Sequence, residues 1–149
     1  MEFRGTSPHT LDDKGRLIIP ARFRTALQAG GGDDLMLTRW EKSLRGYSMQ
    51  AWGKFEDKIK AMTSMSEGFH NFIRLVVGSA QVCTCDKQGR VLIPLELRDF
   101  AKLGKDIRLL GMIDHFEIWS LEGWAKEAEQ VELDLQKPEV RNDIIRLGL

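Results

Sequence analysis

The side chains best suited to chemistry fall in a stretch that the sequence writes twice. Residues 12–20 read Asp-Asp-Lys-Gly-Arg-Leu-Ile-Ile-Pro, and residues 86–94 read Asp-Lys-Gln-Gly-Arg-Val-Leu-Ile-Pro. An exposed turn with a glycine lets the backbone approach a phosphate closely. Lysine and arginine there supply charge, and an arginine can fork onto a guanine edge in a major groove. The same residues also suffice for architecture. Asp12 and Asp86 can accept the N–H groups of their turns, and Arg16 and Arg90 can pair with an aspartate of either copy. Gly15, Gly89, Pro20 and Pro94 serve the backbone. Both readings stay open for Asp12, Asp86 and Arg90.

The two copies differ in their cations. Lys14 aligns with Gln88 and Lys87 with Asp13, and the first copy runs on into Arg22 and Arg24 where the second has Glu96 and Arg98. Arg4 lies on the strand expected to flank the first turn. The candidates for contacting nucleic acid are therefore Lys14, Gly15 and Arg16, with Arg4, Arg22 and Arg24 positioning phosphates. One such turn carries few charges and binds feebly. Several copies in an oligomer, meeting repeated short sites, gain through effective concentration.

Other chemistry finds little support. His9, His70 and His115 are scattered, and none has a carboxylate or cysteine at a metal-ligand spacing. The nucleophile elbow, the Walker loop and the dinucleotide fingerprint are absent. Cys83 and Cys85 sit too close along one strand to close a disulfide easily, and Cys83 reads as a small core residue rather than a nucleophile. The tryptophans Trp52, Trp119 and Trp124 fall on apolar faces and read as packing. Nothing calls for an enzyme, a cofactor or a metal, and the cysteine usage suits a reducing, cytosolic compartment.

The repeat runs well beyond the turn. Thr10 matches Thr84 and Arg24 matches Arg98 at the spacing that relates Asp12 to Asp86. Two extra residues around Gly30-Gly31-Gly32 then shorten the spacing, after which Asp34 matches Asp106, Ser48 matches Ser120, Trp52 matches Trp124 and Lys54 matches Lys126. Such persistence marks a duplicated unit.

At 149 residues with 42% hydrophobic content, the chain can bury one core shared by two small units. No apolar run is long enough for a membrane span, and the start lacks the apolar stretch of a signal peptide. The net charge of zero argues against a strongly basic nucleic-acid binder. Residues 1–60 nevertheless hold eleven Lys/Arg against eight Asp/Glu, and residues 121–149 hold four against seven, so the chain is mildly polarised.

The elements that must position the turns follow from periodicity and punctuation. Strands are expected at 5–11 and 16–19 around the first turn, then a helix opened by Pro20 that buries Phe23, Ala26 and Leu27. Strands at 34–38 and 44–48 and a helix over 49–62 complete the unit, with a further helix over 69–77. The pattern then restarts with strands at 80–85 and 90–93, a helix over 94–103, a hairpin of 106–112 with 115–120, and a helix over 121–133. Beyond Pro138, the apolar Val140, Ile144, Ile145 and Leu147 belong either to a docking segment or to a frayed end. The organisation is a first repeat at 5–52, connecting helices at 53–78, a second repeat at 79–124 and a C-terminal helix and tail at 125–149. Neither repeat can cover both faces of its sheet. Two interleaved about a pseudo-twofold axis can close into a barrel.

At these residues the sequence resembles the MraZ family. The resemblance rests on the opening Met1-Glu2-Phe3-Arg4-Gly5, the block 11–24, the block 86–98, and Phe116-Glu117-Ile118-Trp119-Ser120. It implies an α+β, mainly β fold of the AbrB/SpoVT type: two ββαββ repeats in a swapped-hairpin barrel with peripheral helices. It also implies a ring-shaped homo-oligomer bound to short direct repeats in double-stranded DNA, acting as a repressor of its own division and cell-wall gene cluster on the nucleoid. The role the family assigns to the Lys-Gly-Arg of its first repeat falls on Lys14, Gly15 and Arg16. The competing expectation is an oligomeric scaffold for protein partners, with both turns purely structural.

Overall fold

The strands flanking each turn find their main partners in the other repeat, and the fold follows from that. The computed structural model describes residues 2–148. The first repeat supplies β1 (Phe3–Thr10), β2 (Arg16–Ile18), α1 (Ala21–Ala29), β3 (Asp34–Trp40), β4 (Ser43–Ser48) and α2 (Met49–Lys60). After α3 (Glu67–Val76), the second supplies β5 (Gln81–Thr84), β6 (Arg90–Leu92), α4 (Leu95–Phe100), β7 (Asp106–Ile113), β8 (Phe116–Ser120) and α5 (Leu121–Asp134), followed by α6 (Pro138–Arg146).

The large sheet runs β1-β7-β8-β4-β3-β5, which reads the same from both ends when the repeats are exchanged. β1 pairs with β7 of the other repeat, and β5 returns the exchange on β3. β2 and β6 leave this sheet and pair antiparallel with each other, Leu17 facing Val91. The swapped-hairpin barrel thus consists of two hydrogen-bonded pieces, joined by an isolated bridge between Leu11 and Leu17. The β1 edge carries Pro8 and a positive-φ Gly5, both of which discourage a further strand from adding there.

One core lies between the sheet, the ribbon and helices α1 and α4, and the repeats contribute to it in matched pairs. Leu17 answers Val91, Ile19 answers Ile93, Phe23 answers Leu97, Leu35 answers Ile107 and Leu37 answers Leu109, all fully or nearly fully buried. The rings of Phe3, Phe23 and Phe116 meet at centroid distances of 5.1–5.4 Å. Burying each such side chain is worth about 1.5–3 kcal/mol. A turn hydrogen bond contributes about 0.5–1.5 kcal/mol net. The shared core therefore drives the exchange of strands, and the turns are held where it puts them.

The outer face of the sheet is less symmetric. On the first repeat, α2 and α3 bury Met36, Tyr47, Trp52 and Val76, with Trp40, Phe55 and Phe72 packed around them. On the second repeat α5 buries none of its residues fully, although Trp124 meets Trp119 at 5.8 Å.

One expectation needs correction. The helix expected over 94–103 stops at Phe100, because Lys102 turns left-handed at φ 55°. The N–H of Leu103 then bonds back to Arg98 and that of Lys102 to Asp99, closing the helix as Gly31 and Gly32 close α1. No glycine marks the second stop, so the sequence did not show it. The tail is helical over Pro138–Arg146, and Pro138 opens α6 at a position where its missing N–H is no loss. The side chains of Ile144, Ile145 and Leu147 remain exposed.

Candidate nucleic-acid interface

Each turn is built by its aspartate. Asp12 Oδ1 accepts the backbone N–H of Lys14 and of Arg16, both at 2.9 Å, and its Oδ2 accepts Arg16 Nε at 2.6 Å. Asp86 repeats the set with Gln88 N and Arg90 N at 2.9 Å and Arg90 Nε at 2.8 Å. The backbone N–H of Arg16, above all, holds the Asp12 carboxyl below its usual range. The Arg16 guanidinium and the Lys14 N–H add to this against a partial desolvation. Asp86 is lowered for the same reasons, with the Arg90 N–H foremost. The arginine–aspartate pairs are partly exposed and add little by Coulomb attraction alone. Their effect is to aim each guanidinium along its turn.

Glycine is required at the fourth turn position. Gly15 has φ 84° and Gly89 φ 79°, both left-handed. Each also makes room for an arginine from the other repeat's helix. The Arg98 guanidinium lies over Gly15 while its Nε donates to Ile93 O at 2.8 Å. Arg24 lies over Gly89 and donates from Nη2 to Asp86 O at 3.2 Å. The backbone ties the turns to the opposite strands as well, Ile19 N to Gly89 O and Ile93 N to Gly15 O.

The expected cluster therefore divides. Lys14, Gly15 and Arg16 sit together, with Lys14 exposed and Arg16 half-buried. Arg24 belongs to the second turn, because α1 follows a strand that has crossed to the other repeat. Arg4 is at the far end of β1, roughly 26 Å along the strand from Asp12; it is exposed and pairs with Glu2 at 2.9 Å. Arg22 is exposed on α1 beside Gly5, where its charge and local burial lower the pKa of His9, burial being the larger cause. Pro20 and Pro94 stand at the N-caps of α1 and α4.

The charge asymmetry also changes in three dimensions. Residues 12–16 carry two acids and two bases, whereas residues 86–90 carry one acid and two bases, so the second turn is the more positive. What singles out the first is a lysine directly before the glycine, its backbone N–H held by Asp12 and its side chain free of ion pairs among the described residues.

Sequence reasoning missed two features. The brace of Arg98 over Gly15 was signalled only by the match of Arg24 with Arg98. The outward-facing Ile18 and Leu92 on the ribbon are more than half exposed, an apolar pair on the surface that bears both turns. Burial and the neighbouring Cys85 push the Cys83 thiol up to about 11, which keeps it protonated and a poor nucleophile. No helix among the described residues is long and apolar enough to cross a membrane.

Comparison with known proteins places these features in a lineage. The family described as "MraZ protein, putative antitoxin-like" matches residues 2–72 and again 76–144. The chain is 48% identical over 147 residues to a protein of Desulforapulum autotrophicum, covering 99% of each chain. It is 42% identical over 147 residues to one of Desulfosudis oleivorans, again covering 99% of each. It is 42% identical over 124 residues to one of Leuconostoc mesenteroides, covering 83% of this chain and 84% of that one. Each of the three relatives carries the name transcriptional regulator MraZ.

Proposed function

The chain belongs to the MraZ family, and we propose that it is a DNA-binding transcriptional regulator whose first-repeat turn reads double-stranded DNA. The observation that carries this reading is the locked Asp12–Arg16 turn, which projects Lys14 from a backbone fixed in advance. Such a turn meets phosphates and base edges with little ordering cost. Lys14 and Arg16 make the deciding contacts, and Arg24 braces the second turn; the Arg22 side chain lies against Gly5, away from the first turn.

In this reading the protein represses its own division and cell-wall gene cluster from the nucleoid, as a ring of copies on short direct repeats. Support for assembly comes from the apolar side chains left exposed on α5 and α6, among them Leu133, Ile144 and Ile145. The near-neutral charge of each turn makes multivalency necessary.

The test is fluorescence anisotropy with labelled duplex from upstream of the protein's own gene, at two salt concentrations. Wild type should bind tightly and lose affinity steeply with salt. Arg16→Ala and Lys14→Gln should weaken binding, and Lys14→Gln leaves every hydrogen bond of the turn in place. Intact binding by Arg16→Ala together with loss in Arg90→Ala would move the interface to the second turn. Indifference to DNA in an assembled wild-type protein would favour a scaffold for protein partners.

A further inference from the structure

At the opposite end of α1 from the ribbon, a cleft of about 420 Å³ opens between β4, α2 and the turn joining β7 to β8. Arg45, Lys54 and Lys58 line it, and none of them takes part in an ion pair among the described residues. Arg45 lies on the Trp40 ring at 3.4 Å, donates from Nη1 to Tyr47 Oη at 3.2 Å, and buries an Nε with no partner. Its cross-strand neighbour Glu117 is engaged by Trp119 Nε1 at 2.9 Å. Lys54 and Lys58 stand one helical turn apart, a spacing at which like charges repel.

Of the carboxylates lining the cleft, Glu2 pairs with Arg4, and Asp114 bonds to His115 Nδ1 at 2.7 Å. Burial lowers the His115 pKa, so the imidazole adds no charge to offset that carboxylate. The His115 Nε2 beyond is buried and unpartnered. The C-terminal end of α1 and the N-terminal end of α2 meet there, with Gln50 N bonded to Gly30 O, so their opposite dipole ends offset. Side chains therefore set the charge. On the rim, Ile113 is held at φ 72°, an unfavourable conformation for a β-branched residue.

The duplication provides an internal control. The equivalent cleft on the second repeat is lined by Glu117 where the first has Arg45 and by Glu127 where it has Phe55. Along α5, Gln130 stands in place of Lys58, and Lys126 matches Lys54. The same scaffold thus accepts an acid at the Arg45 position and an amide at the Lys58 position, and the fold does not require Arg45 or Lys58.

We infer that the first-repeat cleft is a binding site for a small phosphomonoester, whose dianionic head is held by Arg45, Lys54 and Lys58. A dianion matches three unpaired cations better than a monocarboxylate does, and an arginine with lysines beside it is the usual donor set for phosphoryl oxygens. The site is concave and about 13 Å from the ribbon end of α1, given the length of that nine-residue helix.

The full-length protein would be titrated with glycerol 3-phosphate, inorganic phosphate, succinate and sodium chloride at matched ionic strength. Tryptophan fluorescence reports on Trp40 beneath Arg45, and calorimetry runs in parallel. The expected result is saturable binding of glycerol 3-phosphate and inorganic phosphate, roughly tenfold weaker in Lys58→Gln and in Arg45→Gln, and unchanged in Lys14→Gln. Lys58→Gln places the second repeat's own residue on an exposed helix face, so it should fold as wild type does. No saturable binding, equal binding of succinate, or unaltered binding in Lys58→Gln would overturn the inference. Displacement of glycerol 3-phosphate by a short duplex of unrelated sequence would overturn it too, by making the cleft part of a DNA surface.

Discussion

The turn at Asp12 and the turn at Asp86 match bond for bond but not charge for charge. Both aspartates take the same two backbone N–H groups and the same Nε, and both glycines sit at nearly the same positive φ under an arginine from the other repeat. A feature that the fold needs twice is kept twice, so these shared bonds are architecture. The unshared positions, Asp13-Lys14 against Lys87-Gln88, cost the fold nothing and are where a specific contact can be placed. Arg16 belongs to both classes: its Nε is spent on Asp12, and its terminal nitrogens remain for a ligand.

The largest effect should come from adding a methyl group to each glycine. An ideal Cβ on Gly15 falls 2.4–2.6 Å from the Arg98 guanidinium, whereas one on Gly89 falls 3.3 Å from Arg24 Nη1. Left-handed strain of about 1–2 kcal/mol applies to both. Gly15→Ala also forces Arg98 off its bond to Ile93 O, so we expect about 2–4 kcal/mol there, against about 1–2 kcal/mol for Gly89→Ala. Urea denaturation of both variants measures the gap. Adding Arg98→Ala to Gly15→Ala should narrow it, and equal losses without that change would mean the two braces are alike.

Next comes Lys14→Gln, which gives the first turn the residue of the second. Stability should be unchanged, and affinity for upstream DNA should fall by about 1–3 kcal/mol, the range for losing one good base or phosphate contact. Restoring a lysine at the other turn with Gln88→Lys should not recover it. Recovery, measured by anisotropy at one salt concentration, would show that the two turns are interchangeable on DNA.

How far the sequence carried this comparison depends on what sets each feature. The matched Asp-x-x-Gly-Arg stretches, and the apolar residues and Ile-Pro that follow each of them, announced a duplicated α+β fold, because local turn chemistry and strand periodicity are written in neighbouring residues. The swap explains what was less legible. Arg24 follows the first turn in sequence, yet the crossed strand carries its helix to the second turn, and Arg98 travels the other way. Arg4 likewise appeared beside the turn because β1 leads into it, while the strand's length puts it at the other end. The cation-lined cleft around Arg45 joins β4 of one repeat to a hairpin of the other, and no single stretch of chain contains it.

A smaller effect should appear on the acid side. Asp12 and Asp86 have folded pKa values below their unfolded ones, so the stability they contribute is present above the unfolded pKa and is lost as pH falls through the folded value. Because the two hydrogen-bond sets match, Asp12→Asn and Asp86→Asn should flatten the pH dependence of the denaturation midpoint by the same amount. Unequal flattening would mean that the turns differ in architecture as well as in charge.

The smallest effect is expected from Lys87→Gln, and it bears most directly on whether position or charge makes the first turn special. Lys87 is as exposed as Lys14 and stands on the more positive of the two turns. If DNA binding simply followed local charge, removing Lys87 would cost at least as much affinity as removing Lys14. If the lysine must stand directly before the glycine, Lys87→Gln should change stability by no more than about 0.5 kcal/mol. It should also leave the salt dependence of DNA binding as it was, whereas losing a phosphate contact lowers that slope by roughly one. A slope that drops equally in Lys87→Gln and Lys14→Gln would assign DNA contacts to both turns, and the duplication would then supply two readers on one chain.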